Sequence, residues 1–286
     1  MFNADLENAV RNFSALMLPL SEIDLEREWT WKDHDEEGIR FAFFVTLQEL
    51  RQLAVRLSAL RSRPTDAQHI LSQYHAAYMD LQAAILGLSN EDAERSPSEG
   101  EWSVKQAYSH IMGTDLGFSA VVRYALERHR SHTWTPDPIP EAEYPRLYGL
   151  SDEEYDALME SQFDHMRSYH RGLHLRILDE FKTISDQELE LPSTFWEGTR
   201  FPIRHRLHRY EAHFTQHTVQ TDKTLVAIGQ HPSESKRLLR RIFAALAEVE
   251  GSMIGAEKMD DAAILATASS ISNRVKEISE TFVERP

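Results

Sequence analysis

Apolar side chains recur at steps of three and four along almost the whole chain, a spacing that fits one face of a helix and not a strand, whose faces alternate every second residue. Leu6, Val10, Phe13 and Met17 step by 4, 3 and 4, and Phe43, Leu47, Leu50, Ala54 and Leu57 by 4, 3, 4 and 3. With 11 glycines in 286 residues, the chain is poorly supplied for tight turns between strands. The expectation is an all-α protein in which strands are a minor ornament.

Punctuation in the pattern places the helices. The second is expected from about Glu36 to Arg61, ended by Pro64, and Thr65 with Gln68 has the form of a capping box opening a third that runs to about Leu88. After a polar loop from Ser89 to Glu101, Ser103 and Gln106 repeat that form and open a helix with the stripe Val104, Ile111, Phe118, Val122 and Ala125. Pro136, Pro138, Pro140 and Pro145 make 129–150 a long irregular connection, and such connections are commonly lids or binding loops. Ser151 and Glu154 then cap a long helix reaching about Ile184. A second irregular stretch holds Pro192, Trp196 and Gly198, and Pro202 suits the first turn of a helix to about Ile228 with the stripe Ile203, Leu207, Tyr210, Phe214, Leu225 and Ile228. Beyond Pro232, two heptad-like stripes follow: Leu238, Ile242, Leu246, Val249 and Met253, then Ile264, Ala268, Ile271, Val275, Ile278 and Phe282. Helices before residue 64 and after residue 233 need a core of their own. The expected architecture is therefore a central four-helix bundle, 66–230, inserted in a second, discontinuous helical bundle built from 1–64 and 233–286.

Composition narrows the chemistry. There is no cysteine, which excludes disulfides, thiolate metal sites and a cysteine nucleophile and makes a reducing cytoplasm the simplest home; any thiol must come from outside. Against 31 basic residues stand 46 acidic ones, and a net charge of −15 repels phosphate backbones and anionic lipid, so neither nucleic acid nor a membrane is an expected partner. No leader-like segment opens the chain and no apolar run approaches a membrane span.

Histidine carries the chemical signal. His213 and His217 stand one helical turn apart and share a face, roughly 95° and 55° from the middle of their helix's apolar stripe, where a bundle helix can aim ligands into a cleft. His110 on another helix can complete a three-imidazole site that leaves a coordination position open, as in catalytic rather than structural metal sites. The competing reading is an ordinary surface pair, since 14 histidines produce i, i+4 pairs by chance; His170 and His174 are one, with no third helix-borne partner evident. A zinc-protease motif is excluded because Phe214 stands where its glutamate belongs. His34, within Asp33 to Glu37, reads as part of an acidic helix start, and His129, His165 and His231 as surface or satisfied core positions. Asp115, on the apolar stripe of its helix, is either an acceptor orienting a ligand imidazole or half of a buried polar pair. Arg200, Arg204, Arg206 and Arg209 either pair with acidic neighbours or form an anion-binding patch near the metal. Trp134, Tyr144, Arg146 and Tyr148 either cover the site or pack their loop onto the bundle.

Two segments carry a family resemblance. Glu101-Trp102-Ser103 followed by His110, and Arg206-Leu207-His208-Arg209-Tyr210-Glu211-Ala212-His213 through His217, resemble the second- and fourth-helix signatures of the DinB-like superfamily over roughly residues 66 to 230. The resemblance implies a four-helix bundle, commonly dimeric, with His110, His213 and His217 as ligands of a divalent ion, zinc or nickel first and iron third. It also implies an enzyme that transfers a low-molecular-weight thiol, such as bacillithiol or mycothiol, to a small electrophile. A metal-dependent hydrolase using the same site and a noncatalytic helical interaction module are the alternatives. Arg200 and Arg204 are candidate contacts for the thiol's carboxylates, while Asp115, Glu211 and Asp222 are candidates for a general base.

Overall fold

The computed structural model describes residues 2–32 and 38–283. The acidic run from Asp33 to Glu37, read above as a helix start, lies outside the described residues. In chain order the elements are α1 (Ala4–Met17), α2 (Glu22–Leu25), α3 (Phe41–Leu60), α4 (Asp66–Ala84), α5 (Asn90–Glu94), α6 (Val104–Arg130), α7 (Tyr144–Tyr148), α8 (Asp152–Glu160), α9 (Phe163–Phe181), β1 (Pro192–Thr194), β2 (Arg200–Pro202), α10 (Ile203–Ala227), α11 (Glu234–Met253) and α12 (Asp261–Val283). The fold is all-α among the described residues, apart from one short antiparallel hairpin in which Ser193 faces Phe201. Among the described residues, no helix is long and apolar enough to cross a membrane.

Several boundaries differ from expectation for local reasons. The long helix from 151 to 184 is broken: Ser161 and Gln162 adopt extended backbone between α8 and α9. Leu158 and Phe163 are both buried, yet five residues of uninterrupted helix would set them about 140° apart. The break lets both face inward. The polar loop after Ser89 contains α5, capped by the Ser89 hydroxyl. In 129–150, Ile139 and Leu147 pack on Ala120 and Val121 of α6, and that anchor supports the short helix α7. The helix expected from about Glu36 is α3, which begins at Phe41 after a 3-10 turn over Gly38–Arg40.

Two compact units divide the chain. The first comprises Met1–Arg63, Gln82–Gly87 and His231–Pro286. In it α1 packs on α12 and α3 on α11, with Phe13 edge-on to Phe43 at 5.5 Å. Arg274, only 2% exposed, sits on the stripe between Ile271 and Ile278. Its guanidinium donates to Thr46 Oγ1 at 2.8 Å and to the Glu49 carboxylate at 3.0 Å, the pairing that a buried arginine requires.

The second unit, Pro64–Leu81 with Leu88–Gln230, is built on α4, α6, α9 and α10. Tyr74, Asp115, His170 and Tyr210, one from each helix, meet in its core: the Tyr74 hydroxyl donates to Asp115 at 2.7 Å, His170 Nε2 lies 2.9 Å from the same oxygen, and the Tyr74 and Tyr210 rings are 4.7 Å apart. Helix α6 opens on a capping box in which Ser103 Oγ accepts from the Gln106 amide at 3.2 Å and Gln106 Oε1 accepts from the Ser103 amide at 2.9 Å. Ser103→Ala is expected to cost about 1 kcal/mol in urea unfolding, with Ser103→Asp recovering most of it. An alanine variant as stable as the parent would show that the cap contributes nothing to α6.

Candidate metal centre

The capping box fixes where α6 starts, and His110 lies two turns inside it. On α10, Leu207, Tyr210 and Phe214 are fully buried and lock the helix against the core. That rotation leaves His213 and His217 on the flank facing α6, each 6% exposed. His110, His213 and His217 thereby come together, with one potential ligand nitrogen from each within 4.8 Å of the others.

The donor set fits a divalent ion. Tetrahedral coordination at about 2.0–2.1 Å separates two ligand nitrogens by about 3.3–3.4 Å, and His110 Nε2 and His213 Nε2 stand 3.1 Å apart. Burial above all, then the charges of His217, His110 and Arg209, pushes His213 down to about 3, so its imidazole is neutral at pH 7 and keeps a lone pair. Burial followed by His217 also lowers His110. His217 Nδ1 lies 2.7 Å from Gln220 Oε1. That amide oxygen can only accept, so the proton sits on Nδ1 and Nε2 carries the lone pair, the usual arrangement behind a ligating imidazole. Trp102 roofs the cluster, its ring 5.2 Å from His110 and 6.3 Å from His217.

A cleft of about 1060 Å³ opens from this cluster, lined by both His110 and His213. Its walls come from Glu94 of α5; Trp102 and one face of α6; Tyr144 and Tyr148 of the proline-rich connection; Tyr155 and Met159 of α8; Phe195 and Trp196 of the hairpin; and Arg209 of α10. Gly113 and Gly117 lie three and seven residues after His110 on the same face of α6, and both line the cleft. In a helix interior each glycine costs about 1 kcal/mol relative to alanine. A Cβ on Gly113 would stand 3.1 Å from the Tyr155 hydroxyl, whereas one on Gly117 would meet nothing closer than the Tyr148 hydroxyl at 4.0 Å.

Other candidate residues are distributed differently. Asp115 bonds to Tyr74 and His170, and His213 Nδ1 is buried without a partner, so Asp115 does not orient that ligand. The arrangement is the buried polar pair, enlarged by a third member. His174, of the pair set aside above, faces His75 Nδ1 at 2.9 Å. Glu211 is about 200° around α10 from His213, and neither it nor Asp222 lines the cleft. Arg200 and Arg204 are likewise absent from its walls: Arg204 pairs with Glu190 at 2.7 Å and Asp66 at 3.0 Å, and Arg200 is exposed on β2. Arg206 turns into the hairpin and donates to the Thr199 carbonyl at 2.8 Å. Arg209 alone of that basic run reaches the cleft. In the proline-rich connection Trp134 stacks on His129 at 4.9 Å and Arg146 pairs with Glu127 and Glu143, so those two pack the loop while Tyr144 and Tyr148 line the cleft. Sequence reasoning passed over Gly113, Gly117, Tyr155, Phe195 and Gln220. The glycines had a readable signal in their helical spacing from His110; the others reach the site through tertiary packing.

Residues 73–220, just over half of the 286-residue chain, match the family model of the DinB superfamily, and the matched span contains all three histidines. No curated protein and no solved structure matches the chain.

Proposed function

The chain belongs to the DinB superfamily, and from that membership we propose a divalent-metal-dependent enzyme that transfers a small external thiol to an electrophile. The observation that carries the reading is that the histidine cluster opens onto a large cleft, which His110 and His213 both line, instead of being sealed between helices. A purely structural clamp has no use for that opening. His110, His213 and His217 would hold the ion, zinc or nickel by preference and iron third. Bound there, such an ion lowers the pKa of a thiol enough to make thiolate available near neutral pH.

The chain's own residues supply the rest. Burial keeps His213 uncharged and able to ligate, Gln220 fixes the tautomer of His217, and Trp102 packs beside His110 and His217. In the transfer itself a carbon–sulfur bond forms, the leaving group departs with the electron pair of the bond that breaks, and the thiol proton passes to water. No cysteine of the chain can substitute for the external thiol.

Elemental analysis of protein purified without a histidine tag tests the centre. Near-stoichiometric divalent metal is expected in the parent and loss of at least nine-tenths of it in both His110→Ala and His213→Ala/His217→Ala. Metal indifferent to His110 would sink the reading. Chelation that removes the metal while circular dichroism stays unchanged is the companion expectation, since unfolding on metal loss would identify a clamp.

A further inference from the structure

We infer that the cleft beside the three histidines receives a planar aromatic carboxylate, its ring between the tyrosine wall and the glycine face of α6 and its carboxylate on Arg209. The inference rests on the metal centre being the reactive end of the cleft.

Three independent features converge on this ligand. Charge is the first. In a chain of net charge −15, Arg204 is paired with Glu190 and Asp66, and Lys105 in the cleft wall is tied at 2.8 Å to Glu94, the carboxylate beside it in that wall. Arg209 lines the cleft, is exposed, and has no carboxylate partner among the described residues. It sits one helical turn before His213 on α10. A guanidinium left open beside a pocket is a fork for a carboxylate.

Shape is the second. Tyr148 and Tyr155 stack at 5.8 Å with their planes 22° apart, and Phe195 and Trp196 continue the aromatic surface. Aromatic walls with a few polar groups favour flat apolar bodies. Burial raises the hydroxyls of Tyr144 and Tyr155 above their ordinary range and Tyr148 to about 12, so all three remain neutral donors toward a ligand oxygen.

The glycines are the third. Neither is needed for a bend or a left-handed turn, because α6 runs unbroken from Val104 to Arg130. Space at Gly117 stays open, and the helix bears the cost of leaving it so. That cost has a use if a ligand lies against the bare backbone.

Calorimetric titration with 2-naphthoate and with uncharged 2-naphthalenemethanol tests the inference on the full-length protein, with metal content measured on each sample. The parent is expected to bind the carboxylate at least tenfold more tightly than the alcohol. Arg209→Gln should erase that preference, as loss of one charge-assisted hydrogen bond is worth about tenfold or more. Gly117→Val should weaken both probes by about tenfold or more. Gly117→Ala, as a control for folding, should raise Tm by about 2–4 °C, the gain of replacing a helical glycine. Equal naphthoate binding by the parent and Arg209→Gln, unchanged binding by Gly117→Val, or no binding by metal-loaded parent overturns the inference. Arg209-dependent naphthoate binding by protein that holds no metal would uphold the slot and sink the metal-enzyme reading instead.

Discussion

Asp115→Ala is expected to destabilise the second unit by about 3–5 kcal/mol while leaving the metal content of the folded protein unchanged. Asp115 is 1% exposed, and a single oxygen of it accepts from Tyr74 at 2.7 Å and meets His170 Nε2 at 2.9 Å. Alanine would remove that acceptor and strand a tyrosine hydroxyl and an imidazole nitrogen in a dry core. Each stranded group costs about 1–3 kcal/mol, and the cavity adds to the loss. Replacing the whole network, as Tyr74→Phe/Asp115→Leu/His170→Leu, is expected to recover most of the stability, since apolar groups of similar volume do not suffer the desolvation that the polar triad does. Urea unfolding of the single and triple variants decides the point. A single variant losing under about 1 kcal/mol, or a triple variant no better than the single, would show that the network does not hold α4, α6 and α9 together. Metal lost from the folded single variant would instead return Asp115 to the role of orienting a ligand.

That network also marks how far the sequence could be read. Helix positions were legible because burial on one face of a helix repeats at 3.6 residues. The capping boxes at Thr65, Ser103 and Ser151 were legible because donor and acceptor lie three residues apart, and all three form in the structure. The three histidines were legible for a related reason: two share a helix face, and the third sits a fixed distance beyond a cap. What periodicity does not encode is partnership between helices. Asp115 looked anomalous on an apolar stripe, but Tyr74 and His170, 41 and 55 residues away, explain it. Arg274 hides in the same way, on a stripe where only apolar residues were counted, because its acceptors Thr46 and Glu49 are more than 220 residues distant. The break at Ser161 escaped because no proline or glycine announces it; the demand comes from Leu158 and Phe163 both having a core to enter. Arg209 could be separated from the rest of its basic run only once β1 and β2 had taken up Arg206, and Glu190 and Asp66 had taken up Arg204.

Stability of the metal-free protein is expected to fall steeply as pH drops below about 6.5, the pKa of histidine in the unfolded chain. His174 is fully buried, stacked on Tyr78 at 3.8 Å, and burial followed by the charges of His75, His170 and Arg171 holds its pKa well below the ordinary value. His213 is held at about 3. For both groups the folded state binds its proton less readily than the unfolded chain does. Well above pH 6.5 neither state is protonated and the stability is complete. Below it the unfolded chain takes up protons that the folded protein refuses, so each histidine removes up to about 1.4 kcal/mol per pH unit until the folded pKa is reached. His213 alone lowers stability by up to about 2 kcal/mol between pH 6.5 and 4.5, and His174 acts in the same direction. Urea midpoints measured in chelator at pH 7.5, 6.5, 5.5 and 4.5 should show this loss. His174→Phe should keep the stack on Tyr78 and reduce the slope, whatever it does to stability at pH 7.5. Midpoints that stay level down to pH 5, or a His174→Phe slope equal to the parent's, would mean that the interior admits the protonated imidazole. Bound metal should flatten the curve only until protons displace it from His213, so the loaded protein is expected to lose its ion and its added stability together.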